Sequence, residues 1–369
     1  MPTPTQPSRR NFLAASGASL IAASALSRSA FAADEPKKKL GWAVVGLGRL
    51  ALGQVLPAFA KCELSQCVAF VTGHAERNKP NIEKYNIDPK NVYDYKNYDT
   101  IKDNKDIDVV YNILPDSMHA EYTIRALEAG KHVLCEKPMC RSVKEAEDMI
   151  AAAKKNNRLL MIAYRVHYEP YNQRAIQMAR KKEFGELRIF AADNYQNTQA
   201  PNIRLSKETG TGPLGDVGVY CINASRFITG EEPVEVTGQA HQPTDEPRFK
   251  DWPASYVFTL KFPSGVLAHC SCGFNGNGSK RYRVMCNDGW FGLEPAYGYG
   301  GLKIQTSKQD MKEIADLPQV NHFAAEMDHF SACVRDNKQP DTPGEEGLKD
   351  MKVLEAIWRA VASGKTEKV

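Results

Sequence analysis

Glu136-Lys137-Pro138 directly follows an apolar run, His132–Cys135, so a lysine is presented where a buried strand gives way to a loop. The proline stiffens that loop, and a lysine so held can donate to a reacting hydroxyl. The plainer alternative is a surface lysine, which the acid and proline on either side disfavour. Asp216 and Tyr220 stand four apart at the head of a helical stretch, Asp216–Thr229, a spacing that puts both side chains on one face. A phenol can exchange a proton with a substrate hydroxyl, and a lysine ammonium beside it would favour its phenolate. The carboxylate can hold the lysine or a substrate hydroxyl. Taken alone, Asp216 serves equally as a helix N-cap and Tyr220 as a core aromatic. Spacing leaves both readings open.

A second set of residues has the spacing for a dinucleotide. Gly46-Leu47-Gly48-Arg49-Leu50-Ala51 comes straight after a buried strand, Gly41–Val45, and before a helix expected over Leu50–Phe59 and a strand at Cys67–Val71. That order of strand, G-x-G-x-x-A turn, helix and strand is the context the fingerprint needs. Gly46 permits the turn, Gly48 lets the backbone approach a pyrophosphate, and the helix N-terminus offers free N–H groups to it. The end of the next strand selects the cofactor. An acid there would hold a ribose 2′-hydroxyl; here it reads Thr72-Gly73-His74-Ala75-Glu76-Arg77. Thr72 can donate to a 2′-phosphate, and Arg77 can reach it with a planar guanidinium, which selects NADP. A solvated helix arginine is the alternative for Arg77.

The elements that must position these residues alternate in the first half. Strands are expected at Asp108–Ile113, His132–Cys135 and Leu159–Ala163, with helices at Ser117–Ala129 and Ser142–Asn156. Ligands of such open α/β sheets gather at the strands' C-terminal ends. Two chemically dense loops leave there: Leu114-Pro115-Asp116-Ser117-Met118-His119, and the Glu136-Lys137-Pro138 loop itself. After Tyr164 the pattern changes to strand-like runs at Leu187–Asn194, Val234–Gln242, Ala254–Phe262, Val266–Phe274 and Lys280–Met285, then shorter ones. Such a series indicates a large, mostly antiparallel sheet with helices on one face. The fold class is therefore α/β, with an N-terminal Rossmann dinucleotide-binding domain at 40–163 and a C-terminal α/β domain at 164–369.

The chain has 369 residues and a formal charge of only +4, and no dense basic tract indicates a nucleic-acid partner. Ser8-Arg9-Arg10-Asn11-Phe12-Leu13 reads as a twin-arginine export motif, followed by an apolar stretch and a small-x-small site, Ala30-Phe31-Ala32. Residues 1–32 are expected to be a cleaved signal and 33–39 a short linker. The apolar stretch is too short and too interrupted for a membrane span. Nine cysteines show no C-x-x-C or metal spacing. Cys270 and Cys272 share one face of a strand, where adjacent thiols are badly placed to bridge each other; free thiols are expected.

With these motifs in place, the chain resembles the Gfo/Idh/MocA oxidoreductase family. The likeness runs through VVGLGRLALGQVLPAFA, ILPDSMHAEYTIRALEAGKHVLCEKPM, YRVHYEPYN, GDVGVYCINASRF and PGEEGLKDMKVLEAIW. It implies a periplasmic enzyme with tightly bound NADP that oxidises an aldose to its lactone and passes the hydride to a second sugar. It also implies that Lys137 bonds the reacting hydroxyl and the nicotinamide ribose, and that Asp216 and Tyr220 act at the sugar. Leu114, Pro115, His119, Glu136 and Arg165 are expected at the cofactor, and His167 and Tyr168 at the substrate mouth. A homo-oligomer, dimer or tetramer, is implied through the open face of the second sheet. Three other outcomes remain: a dehydrogenase with exchangeable NADP, a glycosidase using transient oxidation with NAD, and a non-catalytic sugar sensor. Retention of Lys137 and Tyr220 argues against the last two. Two departures stand out. Only Ala33–Lys39, at most about 25 Å when extended, precedes the first strand where a family member has a long proline-rich arm. The run Gly210-Thr211-Gly212-Pro213-Leu214-Gly215 also differs from its glycine-rich counterpart.

Overall fold

A computed structural model describes residues 38–308 and 317–369. The twin-arginine motif, the cleavage site and nearly all of the linker lie outside the described residues.

Short, fully buried apolar runs build the first sheet. Its strands are β1 (Leu40–Val45), β2 (Ser65–Val71), β3 (Val92–Tyr93), β4 (Val109–Asn112), β5 (His132–Glu136) and β6 (Leu160–Ala163). All pairs are parallel, in the order β3-β2-β1-β4-β5-β6. The strand order reverses between β1 and β4, which opens a crevice at their C-terminal ends. The connection after β1 is wound unevenly: a π-helical turn at Ala51–Val55, then α1 (Leu56–Ala58), then a 3-10 turn at Phe59–Lys61. The sequence suggested one regular helix there. Helix α2 (Ala75–Lys84) carries Arg77, as expected, and strand β3 carried too little apolar pattern to be anticipated. Helices α3 (Asp116–Glu128) and α4 (Val143–Lys155) pack on one face of the sheet. Ser142 accepts from the Glu145 N–H and so caps α4.

The second sheet holds β7 (Leu187–Tyr195), β8 (Glu235–His241), β9 (Ser255–Lys261), β10 (Leu267–Gly273), β11 (Lys280–Cys286), β12 (Gly289–Leu293), β13 (Ile304–Thr306) and β14 (Glu367–Lys368). Their order is β13-β12-β11-β7-β10-β9-β8-β14. Every pair is antiparallel except β7 with β10. Helices α5 (Pro170–Arg180), α6 (Val219–Thr229) and α8 (Gly344–Ser363) cover one face. On the other face Val257 is 56% exposed and Leu267 48%, so apolar groups stand in water there.

Helix α7 (His322–Asp336) packs instead on the first sheet, opposite α3 and α4. Its Met327 and Phe330 join the core of Trp42, Val44 and Tyr111, and the Trp42 indole donates to Ser331 at 3.1 Å. A late segment of the chain thus completes the first layer. All nine cysteines are free thiols; burial pushes those of Cys62 and Cys67 up to about 12. Among the described residues, no helix is long and apolar enough to cross a membrane.

Candidate active site

Gly46 ends β1 with φ +91°, and a Cβ there would lie 2.9 Å from the Ile113 carbonyl, so only glycine fits the turn. Its N–H bonds the Val71 carbonyl, and Ile113 N–H bonds Val45; the turn is therefore tied to both neighbouring strands. Gly48 and Arg49 are exposed at the start of the following helical turn, and a Cβ on Gly48 would meet nothing within 4 Å. A flexible, unscreened backbone at a helix start suits a pyrophosphate.

The crevice widens into a cavity of about 860 Å³. Gly48, Arg49 and Leu50 line one end; Leu114, Pro115 and His119 line its side; Glu136, Lys137, Arg165, Asp216 and Tyr220 lie in its wall. Gly46 and Leu47, just before them in the chain, are not among the lining residues.

Lys137 is the centre of the polar wall. Its ammonium donates to the Asp216 carboxylate at 3.0 Å and to the Asp216 main-chain carbonyl at 2.7 Å, and lies 4.9 Å from the Tyr220 ring centroid. The two side chains are 12% and 13% exposed, so the pair is largely out of water. The helix expected from Asp216 begins as a π-helical turn, Leu214–Gly218, and α6 follows. That wider turn presents both the carbonyl and the carboxylate of Asp216 to one lysine. Such turns recur at functional sites. Burial opposes the lysine's charge, but the Asp216 carboxylate outweighs it and raises the pKa above the ordinary value. Asp216 is held at about 2: burial alone would raise it, and Lys137 and Arg204 overcome that. Arg204 pairs with the second carboxylate oxygen at 3.1 Å, and Gln196 donates to the same oxygen at 3.2 Å.

Arg165 supports Tyr220 from the other side. One Nη donates to the Tyr220 hydroxyl at 3.3 Å and to the Tyr297 carbonyl at 2.8 Å; the other donates to the Gly298 carbonyl at 2.9 Å. Its guanidinium also stacks 4.6 Å from the Tyr299 ring. Beneath Lys137, Glu136 accepts from the Tyr111 hydroxyl at 2.8 Å, and burial raises its carboxyl. Glu326 on α7 is fully buried, and neither of its carboxyl oxygens has a partner among the described residues. Burial, then the nearby Glu136, drives its pKa well up. His119 bridges two loops, with Nδ1 and Nε2 each 2.8 Å from a carbonyl, of Pro138 and Leu114. Burial opposes its charge, yet the Cys135 sulfur, Asp116 and the Pro138 carbonyl raise it to about 10. It therefore ties the loops after β4 and β5 together.

Two expectations are corrected. His167 bonds the Asn223 amide and lies 3.9 Å from the Phe227 ring. Tyr168 bonds Thr342 and stacks near His329. Both face the packing between helices, not the cavity, because the 3-10 turn after β6 points only Arg165 inward. Thr72 is buried and braces the loop, its hydroxyl accepting from His74 N–H and the Asn78 amide, which leaves its own hydrogen to donate. Gly73 and Arg77 are exposed beside it, and Arg77 has no ion pair or hydrogen bond among the described residues. Arg204, Gln196 and Tyr299 were missed, since each lies in a loop or strand end with no motif around it.

Residues 40–164 match the model of the oxidoreductase family with an NAD-binding Rossmann fold, and residues 172–292 match the GFO/IDH/MocA C-terminal domain. Among solved structures, the chain is similar to aldose-aldose oxidoreductase from Caulobacter crescentus, determined with glycerol. They are 40% identical over 90% of this chain and all of that one, with a TM-score of 0.87. It is also similar to KijD10, a 3-ketoreductase from Actinomadura kijaniata determined with NADP and TDP-benzene (25% identical, 88% of this chain and 98% of that one, TM-score 0.76). A curated relative is the D-xylose 1-dehydrogenase [NADP(+)] of Haloarcula marismortui, 28% identical over 89% of this chain and 92% of its own. The parallel sheet with its glycine turn, the mostly antiparallel second sheet and these matches together make the chain a member of the Gfo/Idh/MocA oxidoreductase family.

Proposed function

We propose that this chain is a periplasmic sugar oxidoreductase that keeps NADP bound, oxidises an aldose at its anomeric carbon to the lactone, and reduces a second sugar. The observation that carries the reading is the Lys137 ammonium fixed between the Asp216 carboxylate and the Tyr220 ring at the mouth of the first sheet. The names of the aldose-aldose oxidoreductase and the NADP(+)-dependent xylose dehydrogenase support the substrate class and the cofactor.

The residues present fit NADP. Gly46 and Gly48 leave room at the helix start, and no acid stands at the end of β2 to meet a 2′-phosphate. Arg77 and the Gly73 backbone face solvent at that edge, with the guanidinium free to bind it. When bound, NADP supplies the hydride acceptor and donor.

The chain's own groups divide the remaining work. Lys137 has three N–H donors, and Asp216 takes two. The third donates to the anomeric hydroxyl. Because its carboxylate neighbour holds it protonated, Lys137 cannot also take the proton. Tyr220, whose oxygen already accepts from Arg165, takes the proton in its phenolate form and becomes the phenol, while the hydride leaves the anomeric carbon. Arg165 and the rings of Tyr220 and Tyr299 keep the wall dry and fixed.

The purified mature protein should carry NADP(H), identified by mass after denaturation. Its absorbance should rise when an aldose is added and fall when a second sugar follows. NAD as the main species, or glycoside cleavage with no aldose able to reduce the cofactor, would refute the reading. Arg77→Ala should weaken NADP relative to NAD by about 1.5–3 kcal/mol, the usual range for a hydrogen bond to a charged group. Equal losses for the two cofactors would remove Arg77 from the 2′-phosphate. Replacing Arg9 and Arg10 with Lys should leave precursor in the cytoplasm; normal periplasmic accumulation would argue against twin-arginine export.

A further inference from the structure

Arg204 sits on a short 3-10 turn, Ile203–Leu205, in the loop between β7 and α6. The turn is built to hold one conformation. Asn202 accepts from the Arg204 N–H at 3.0 Å, Thr209 bonds the Ile203 carbonyl, and Leu205 is buried beneath. Gly210 packs so closely that a Cβ there would lie 3.0 Å from the Arg204 Cα. Asp116, at the start of α3, ties the same segment down by accepting from Thr211 N–H and its hydroxyl at 3.0 and 2.6 Å.

So placed, Arg204 sets Nε 3.1 Å from the Asp216 carboxylate. Neither Nη group makes a hydrogen bond among the described residues. The side chain is 41% exposed and lines the cavity. The other oxygen of the same carboxylate holds Lys137, so the outer edge of Arg204 stands one carboxylate away from the group at the reacting hydroxyl. A planar guanidinium with two parallel donors matches a pair of adjacent oxygens.

Resting on the sugar reading above, we propose that Arg204 is a specificity-determining residue that reads the hydroxyls next along the ring from the anomeric carbon. The preferred substrates are therefore aldoses with an intact vicinal diol beside the reacting centre. Nε keeps Asp216 and Lys137 in register while the Nη pair bonds the diol, so recognition and positioning share one side chain.

The test uses the whole protein with its bound cofactor and pairs an aldose with its 2-deoxy analogue. Single-turnover cofactor reduction and equilibrium binding are read in parallel. The parent should favour the intact sugar by about 10- to 100-fold, as expected for hydrogen bonds to a charged donor. Arg204→Lys keeps a cation for Asp216 but has no fork. Its ratio between the intact and the deoxy sugar should collapse toward unity, whatever the change in the absolute rate with either. Gly210→Ala, which leaves Arg204 in the chain but displaces its turn, should do the same. Arg204→Met that slows both sugars equally, with the parent's discrimination intact, would overturn the proposal and leave Arg204 as a counter-ion of Asp216. A parent that reacts with both sugars alike would also overturn it while sparing the sugar reading. If no aldose reduces the cofactor, that reading falls, and the binding ratio still decides the role of Arg204.

Discussion

Lys137→Met should lower single-turnover reduction of the bound cofactor by about 10²–10⁴-fold, the range for losing one positioned proton-transfer or hydroxyl-orienting group. Tyr220→Phe should fall in the same range. The reasons differ. The methionine keeps much of the lysine's stem but removes the ammonium that Asp216 orients. The phenylalanine keeps the ring beside Lys137 and Arg165 but removes the hydroxyl that Arg165 addresses. Neither variant touches the glycine turn after β1, so both should purify with cofactor in the parent's amount. Parent rates of reduction in both variants would show that the proton leaves by another route. Loss of cofactor or of fold in both would instead make the pair structural.

Much of the scaffold was legible because strands in a doubly covered parallel sheet are buried throughout. Val44, Val110, Leu134 and Met161 are all essentially without exposure, and such runs stand out against polar loops. Gly46 was readable because its positive φ has a residue signature. The extent of helix α2 was hidden: its first residues, Ala75 to Arg77, are exposed, and only Asn78 within it is buried. The role of α7 was hidden for another reason. Its pattern announces a helix face but not which sheet receives it, and that was decided by Trp42 and Ser331, far apart in sequence.

The site divides along the same line. Lys137, Asp216 and Tyr220 were nominated by type and spacing, and the structure brings them together. The direction of a side chain on a one-turn helix was not legible. Arg165, His167 and Tyr168 are nearly adjacent, yet only Arg165 faces the cavity. Arg204 was invisible because its importance lies in a contact with Asp216 across a loop.

That contact underlies the second large effect. Asp216→Asn removes the one negative charge between Lys137 and Arg204 while keeping the shape of the side chain. An uncompensated charge in so dry a place costs about 3–5 kcal/mol when its partner is removed, so the variant should melt well below the parent. The sign with pH is fixed by the depressed Asp216 carboxyl, at about 2 in the folded protein against its ordinary 3.8. The parent's advantage should be fully present above about pH 4 and shrink as the pH falls through 2, below which the parent's Asp216 carboxyl is protonated in the folded and the unfolded state alike. The alkaline side moves the other way. In the parent the carboxylate raises the Lys137 pKa; without it, burial and Arg204 both favour the neutral amine. The variant should therefore lose its residual activity at lower pH than the parent does on the alkaline limb. Melting temperatures from pH 2 to 7 and a rate profile from pH 6 to 10, each on parent and variant, test the two signs. An unshifted alkaline limb with an unchanged melting temperature would mean that Asp216 neither holds the lysine's proton nor the fold.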